Sequence, residues 1–263
     1  MDKKIFFVAV LFFVSVASAS FIRMTADIQV EPIVSGSSTK VNVSLVNSGD
    51  EPAHDTQLSL ILPDGFSTDS AYAGVMYPNA PYENVFGVNI SGGLLPGRYP
   101  LVLKIHYSDA NAYPFSVVSP SFIMYEQATP VMVRGSMPEL QLGVSEEKQL
   151  KLSLSNMDSK PHNLKVRLIT SDEIVSDPHE KEVQINANGQ TDLMFNVKPF
   201  GALPDSTYVV FATIEYDDSL HYSSIATGVV KVVREESGLN LSWLPVAVLL
   251  ILIGLFIYYQ LKR

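Results

Sequence analysis

The sequence predicts an all-β protein that consists of two tandem immunoglobulin-like β-sandwiches followed by a C-terminal transmembrane helix. Three observations support this prediction. Apolar and polar residues alternate along many short stretches, the sequence repeats itself at an offset of 109 positions, and a long apolar stretch lies just before the last two residues. Short strands separated by turns, in units of about 100 residues, are typical of immunoglobulin-like sandwiches.

The N terminus has the three parts of a secretory signal peptide. Asp2, Lys3 and Lys4 precede an apolar run over residues 5–16, and small residues follow at 17–20. We expect residues 1–19 to be the signal peptide, with cleavage after Ala19. An uncleaved membrane anchor is the less favoured alternative, because about a dozen apolar residues are few for a membrane span.

The region between the two ends contains an internal repeat. A shift of 109 positions brings identical residues together at several points: Ser44 with Ser153, Asn47 with Asn156, Pro52 with Pro161, Phe86 with Phe195, Tyr99 with Tyr208 and Tyr107 with Tyr216. A constant offset over this length indicates a duplicated fold. We therefore expect the first sandwich to cover residues 20–127 and the second to cover residues 128–236.

Alternation of apolar and polar residues predicts the strands of each copy. Val41, Val43 and Leu45 alternate with polar residues, and residues 150–154 repeat this pattern in the second copy. A period of two is expected where one face of a sheet is buried. Further strands are predicted at 57–62, 84–90, 99–107 and 115–125, and at 163–169, 192–197, 208–216 and 223–233.

The C terminus is predicted to cross a membrane. Residues 241–261 contain no charged side chain, and as a helix they measure about 30 Å, the thickness of a bilayer core. Trp243 and Tyr258 lie where interfacial aromatic residues occur, and residues 262–263 form a basic cytoplasmic tail. We expect a single-pass membrane protein with an extracellular N-terminal body. A buried core helix is the alternative.

The repeated positions also carry a family resemblance. Each copy has an alternating strand, an asparagine turn that ends in proline, and a late strand that begins near a tyrosine. The matching residues are Asn47 to Pro52, Pro96-Gly97-Arg98-Tyr99, Asn156 to Pro161 and Asn188-Gly189-Gln190. This pattern resembles the CARDB-like domains, immunoglobulin-like modules of prokaryotic, especially archaeal, cell-surface and S-layer-type proteins. The resemblance implies a surface module for adhesion or scaffolding without catalytic residues.

One segment differs between the copies and is the candidate binding site. Residues 66–86 have an aromatic, weakly charged composition and include Tyr72, Met76, Tyr77 and Tyr82, whereas residues 175–195 carry several charges. We interpret the first segment as insertion-like. Because binding surfaces favour aromatic residues, these four residues are candidates for contact with a protein partner or a glycan. Alternatively, the rings close the open end of the sandwich.

Two asparagines are candidate N-glycosylation sites. Asn42 and Asn89 each begin an Asn-x-Ser sequence, and the strand alternation predicts that both point away from the apolar face. A third such sequence begins at Asn240, where the predicted membrane places it out of reach. Whether the first two sites carry sugar depends on the host.

Two tyrosines are predicted to have a structural role. Tyr99 and Tyr208 each lie near the start of a late strand, at equivalent positions of the repeat. This placement is similar to the tyrosine corner of immunoglobulin-like sandwiches, where the hydroxyl bonds back to a nearby backbone group. We expect both hydroxyls to stabilise their own copy.

No residue pattern predicts catalysis, a cofactor or a metal ion. The absence of cysteine excludes disulfides, thiolate metal sites and a cysteine nucleophile. The five histidines lack any supporting pattern, and we expect them in turns or on the surface. The acidic residues around Asp177 and Asp217 lack the spacing of a calcium loop.

We therefore expect a non-enzymatic protein that acts as an envelope scaffold, stalk or adhesion module. Its partners would be a cell-envelope protein or glycan, and the membrane through the C-terminal helix. The formal net charge of −9 argues against a nucleic-acid partner. The alternative is an accessory subunit of a membrane complex, such as an exporter or a glycosylating assembly.

Overall fold

The computed structural model describes residues 21–234 and 244–262. The predicted signal peptide at 1–19, the acceptor Asn240, the predicted interfacial Trp243 and the terminal Arg263 lie outside the described residues. The roles assigned to them from the sequence therefore stay predictions.

The body consists of strands, which confirms the all-β prediction. The strands of the first half are β1 (Met24–Val30), β2 (Ser38–Asn47), β3 (Ala53–Ile61), β4 (Phe66–Ser67), β5 (Ala71–Met76), β6 (Pro81–Ile90), β7 (Gly97–Ser108) and β8 (Pro114–Tyr125). Those of the second half are β9 (Val133–Ser136), β10 (Leu140–Gly143), β11 (Lys148–Asn156), β12 (His162–Ile169), β13 (Ile174–Asp177), β14 (Glu180–Ile185), β15 (Gln190–Pro199), β16 (Ser206–Asp217) and β17 (His221–Val233).

The sequence alternation determines which side chains enter the core. In β2, Val41, Val43 and Leu45 are buried, while Lys40 before them and Asn42 between the first two are exposed. Leu150, Leu152 and Leu154 are buried in the same way in β11. Successive side chains of a strand point to opposite faces, so one face of each strand packs inward.

Each half contains two sheets that enclose one hydrophobic core. The first half has the orders β1-β2-β6-β4 and β5-β3-β7-β8, and the second has β9-β11-β15-β13 and β14-β12-β16-β17, with β10 parallel to β17. One core lies within residues 34–125 and the other within residues 133–232. Both cores draw side chains from the two sheets of their own half.

The repeat offset recurs in the positions of the strands. β5, β6 and β7 begin and end 109 positions before β14, β15 and β16. The halves are joined where His221 of β17 pairs with Gly97 of β7, which makes one nine-stranded sheet out of two. The junction between the halves is therefore formed by backbone as well as side chains.

A single helix, α1 (Leu244–Leu261), follows the strands in the described residues. It covers most of the span predicted for residues 241–261, of which residues 241–243 lie outside the described part. Within residues 21–234 and 244–262, no helix combines the length and apolar character needed to cross a membrane. The predicted transmembrane helix is not confirmed.

Candidate functional site

Two of the four predicted contact residues lie on the surface at one edge of the nine-stranded sheet. β5 is the terminal strand of the order β7-β3-β5. Tyr72 in β5 is 62% exposed, and Tyr77, directly after β5, is 63% exposed. Val75 between them is also exposed. We name Tyr72, Val75 and Tyr77 the tyrosine surface.

An irregularity in the sheet holds Tyr72 in its exposed position. The register between β3 and β5 shifts twice, and Asp55 within the first shift has a φ of 50°. The Tyr72 hydroxyl donates a hydrogen bond to Asp55 Oδ1 at 3.2 Å, and this bond is the main reason that the pKa of Tyr72 is raised. Bulges of this kind re-aim side chains at sheet edges. The hydrogen bond to Asp55 therefore restrains the hydroxyl end of the Tyr72 ring.

Met76 is not a surface residue, and its prediction as a contact residue is wrong. Its side chain is 3% exposed and belongs to the first core. The repeat provided a signal for this, because Met76 is equivalent to Ile185, which is buried in the second core. Tyr82 is partly buried and packs against the first core, as the alternative interpretation expected.

The aromatic segment is not an insertion. β4 and β5 correspond to β13 and β14 of the second half, with the same pairing partners in the repeat. Lys181 occupies the position of Tyr72, and Asn186 occupies that of Tyr77. The two halves therefore share the strands and differ in the side chains that these strands expose.

Asn42 and Asn89 are both exposed, on β2 and β6 of the same sheet. Asn42 pairs with Val85, and Asn89 pairs with Ser38. Their neighbours Val41 and Val88 point into the core. Both side chains are thus exposed to solvent on the outer face of this sheet.

Tyr99 and Tyr208 both bond to backbone a few residues upstream. The Tyr99 hydroxyl donates to the carbonyl of Leu95 at 2.7 Å. The Tyr208 hydroxyl instead accepts from the N–H of Leu203 at 3.1 Å. Burial is the largest cause that raises the pKa of Tyr99 to about 12. The two positions are equivalent, but the direction of the hydrogen bond is reversed.

We expect Tyr99→Phe and Tyr208→Phe each to lower the free energy of unfolding by about 1 kcal/mol, because each removes one hydrogen bond to backbone. The measurement is denaturant unfolding of each variant. Tyr77→Phe is the matched control, since the Tyr77 ring is exposed and its substitution leaves the core unchanged. Unaltered unfolding of both variants would show that the two hydroxyls add no stability.

His221 forms the centre of the junction between the halves. Its ring stacks on Tyr99 with ring centres 3.9 Å apart, and its backbone N–H donates to the carbonyl of Pro96 at 2.9 Å. Nδ1 lies 2.7 Å from Asp217, and Nε2 lies 3.4 Å from Glu215. Burial lowers the pKa of His221, but the two carboxylates outweigh this effect and raise it above its ordinary value.

The expectation that the histidines occupy turns or the surface is wrong for two of them. His162 and His221 are both buried. His162 lies 2.9 Å from Asp158 and packs against Tyr216. The contact of His221 with Tyr99 joins residues more than one hundred positions apart, so no local sequence signal indicates it.

A cavity of about 490 Å³ opens beside His221, and we name it the charged cleft. The first half contributes Asp64 and Tyr99, and the second contributes Lys165, Arg167 and Glu215 among its lining residues. Lys165 reaches across to Asp64 at 3.2 Å, and Arg167 binds Glu180 at 3.0 Å. The basic groups of this cleft are thus already paired within the protein.

No metal-binding cluster is present in the described residues, since no three His, Asp or Glu side chains within them are placed to hold one ion. The acidic pair Asp217 and Asp218 makes other contacts. Asp217 binds His221, and Asp218 lies 3.4 Å from Lys160. Both carboxylates are therefore paired with basic side chains of the protein itself.

Comparison with known proteins identifies one family model. Residues 33–108 match the NPCBM-associated, NEW3 domain of alpha-galactosidase. This region covers less than a third of the chain and contains the tyrosine surface. The match does not confirm the resemblance to CARDB-like domains. No curated protein matches the chain.

Among solved structures, the chain is similar to a transglutaminase of red sea bream at 13% identity, with a TM-score of 0.29, over 82% of this chain and 32% of that one. It is also similar to an alpha-2-macroglobulin of Salmonella at 14% identity, with a TM-score of 0.32, over 81% of this chain and 16% of that one. The chain thus spans about a third and about a sixth of these two proteins.

Proposed function

We propose that the protein is a non-enzymatic cell-surface module that binds a glycan of the cell envelope through the tyrosine surface. The observation that carries this proposal is the exposure of two tyrosines, each more than 60%, one on the terminal strand of a sheet and the other directly after that strand. Single exposed apolar residues are common in proteins. A group of exposed rings on one edge is typical of an interaction site.

The chemistry of the two tyrosines suits a sugar. A tyrosine ring has an apolar face for the C–H groups of a pyranose and a hydroxyl for its polar groups. The hydrogen bond to Asp55 restrains the Tyr72 ring before any ligand arrives, which reduces the entropy lost on binding. The family match supports a glycan over a protein partner, because it names a domain of a galactosidase over the residues that include this surface.

We further propose how the protein is placed at the membrane so that this surface is exposed outside the cell. Two tandem immunoglobulin-like sandwiches are exported with the help of residues 1–19, and residues 241–261 anchor them with the C terminus in the cytoplasm. The support for this arrangement is the charge and hydropathy pattern of the sequence. In this arrangement the body is a short stalk that carries the tyrosine surface away from the membrane.

The test is the double variant Tyr72→Ser/Tyr77→Ser, measured for binding to purified envelope polysaccharide of the host. We expect binding to be lost while the melting temperature stays nearly unchanged, because exposed substitutions shift stability by about 0.5 kcal/mol or less. Phe200→Ser is the matched control, since Phe200 is equally exposed but lies in the second half.

Two results would contradict the proposal. One is unchanged polysaccharide binding by the double variant. The other is an equal loss of binding in Phe200→Ser, which would indicate nonspecific adsorption to exposed rings. Retention of a protein, in place of polysaccharide, by the wild type but not by the double variant would assign the surface to a protein partner instead.

A further inference from the structure

A second cavity, of about 460 Å³, lies between the two halves and shares no lining residue with the tyrosine surface or the charged cleft. Met24, Tyr107 and Phe115 line it from the first half, and Tyr208 lines it from the second. Ser116, Ser171 and Glu173 form its polar end. We name it the carboxylate cleft. Its volume lies within the range of small-molecule sites.

Glu173 brings a buried carboxyl group to this cleft. Its side chain is 5% exposed, and it accepts a hydrogen bond from the Ser116 N–H at 2.7 Å and another from the Ser116 hydroxyl at 3.2 Å. The cleft has no Lys, Arg or His among its lining residues. Lys104 and His106 instead bind the neighbouring Asp172. Among the described residues, the Glu173 carboxylate therefore has hydrogen-bond donors but no cation.

Ser171 adds an unused hydroxyl at the same end. It is 4% exposed, and its Oγ has no hydrogen-bond partner within the described part of the chain. A buried polar group without a partner is costly, and an N–H donor bound in the cleft would reduce that cost. Its oxygen and the carboxylate of Glu173 are both acceptors for an incoming N–H donor.

The walls of the cleft suit a cation with an apolar body. Tyr107 and Phe115 stack on each other with ring centres 5.6 Å apart, and aromatic faces attract ammonium groups. Glu173 is close enough to influence the Tyr107 hydroxyl. Burial, and after it the charge of Glu173, raises the pKa of Tyr107 to about 12. Met24 and Val117 supply aliphatic surface.

The charged cleft provides an internal precedent. β7 is equivalent to β16 in the repeat, and β8 is equivalent to β17. The halves meet where β7 contacts β17 and where β8 contacts β16, so these two contacts correspond to each other under the repeat. The 109-residue offset relates Asp64 and Tyr99 of the charged cleft to Glu173 and Tyr208 of the carboxylate cleft. In the charged cleft, the ammonium of Lys165 lies 3.2 Å from Asp64. The carboxylate cleft has the equivalent acid without a lysine.

We propose that the carboxylate cleft binds an alkylammonium group, whose N–H groups donate to Glu173 and to Ser171 Oγ while its alkyl chain lies along the aromatic wall. A free primary amine and the side chain of a lysine in a partner protein share this chemistry. This binding does not depend on the glycan-binding function proposed above.

Calorimetric titration of the full chain with n-butylammonium chloride and with Nα-acetyl-lysine methylamide tests the proposal. We expect the wild type to bind, and the neutral analogue n-butanol to bind about tenfold more weakly or worse, since a charge-assisted hydrogen bond is lost. Tighter binding of the lysine derivative assigns the source to a protein lysine, and tighter binding of butylammonium assigns it to a free amine. Failure of both amines to bind overturns the proposal.

Variants locate the binding. Glu173→Gln should weaken amine binding by about tenfold or more, whereas Asp64→Asn, the equivalent change in the charged cleft, should leave it unchanged. Tyr72→Ser/Tyr77→Ser should also leave it unchanged, which separates this site from the tyrosine surface. Equal binding by Glu173→Gln, or by n-butanol in the wild type, overturns the proposal. The n-butanol comparison needs no variant and so holds even if Glu173→Gln fails to fold.

Discussion

Gly97→Ala should separate the two halves of the body. A β-carbon added at Gly97 would lie 2.1 Å from the carbonyl oxygen of His221 and 2.8 Å from its carbonyl carbon. Both are backbone atoms and cannot rotate away. Adding atoms to a well-packed region lowers the free energy of unfolding by up to about 3 kcal/mol. We expect the free energy of unfolding to fall by this amount and the radius of gyration in X-ray scattering to rise.

Gly87→Ala is the matched control for this change. Gly87 also lies in a strand of the first half, and an added β-carbon there would meet nothing within 4 Å. We expect unchanged scattering and stability for the control. Gly97→Ala with the scattering curve of the wild type would show that the junction between β7 and β17 is loose enough to absorb a methyl group, contrary to the structure.

Asn47→Ala should destabilise the first half by about 3 kcal/mol, because it leaves buried backbone groups without partners. The Asn47 side chain is 0% exposed. Its Nδ2 donates to the carbonyls of Glu51 and Met76, and its Oδ1 accepts from the N–H of Gly49. Asn47→Asp should destabilise as well, since it keeps the size but loses both donors. The measurement is denaturant unfolding.

Asn156→Ala is the equivalent change in the second half, and we expect it to lower the free energy of unfolding for the same reason. Asn156 Nδ2 donates to the carbonyls of Lys160 and Asn186, and Oδ1 accepts from the N–H of Asp158. Asn42→Ala is the matched control, as Asn42 lies exposed on the same strand as Asn47. A loss of stability for Asn42→Ala as large as that for Asn47→Ala would contradict the role given to the buried amide.

The ten strands predicted from alternation are present because their signal is local, whereas no strand was predicted for β1, β4, β5, β9, β10, β13 or β14. The alternation at Val41, Val43 and Leu45 depends only on which face of one strand is buried. The repeat was equally visible, since the 109-residue offset needs only identical residues at equal spacing. Asn47 and Asn156 were recognised as repeated turn residues, but their buried amides were not foreseen. A polar residue in a turn is normally exposed, and only the fold shows that this one is covered.

The functional residues were harder to predict for physical reasons. Met76 was assigned to the surface from the composition of its segment, although its repeat partner Ile185 is apolar and indicates a core position. The junction was not foreseen, because His221 and Tyr99 meet only after both halves fold. Glu173 gave no signal either, since its partner Ser116 lies far away in the sequence.

The most direct test of the proposed binding surface is a titration of the full chain with envelope polysaccharide, followed by NMR of its tyrosine rings labelled with ¹³C. The chain has 12 tyrosines, and single Tyr→Phe variants assign their signals. If the tyrosine surface binds the glycan, the ring signals of Tyr72 and Tyr77 shift, while those of the buried Tyr99 and Tyr216 stay in place. Binding that leaves the Tyr72 and Tyr77 signals unmoved would contradict the proposed function.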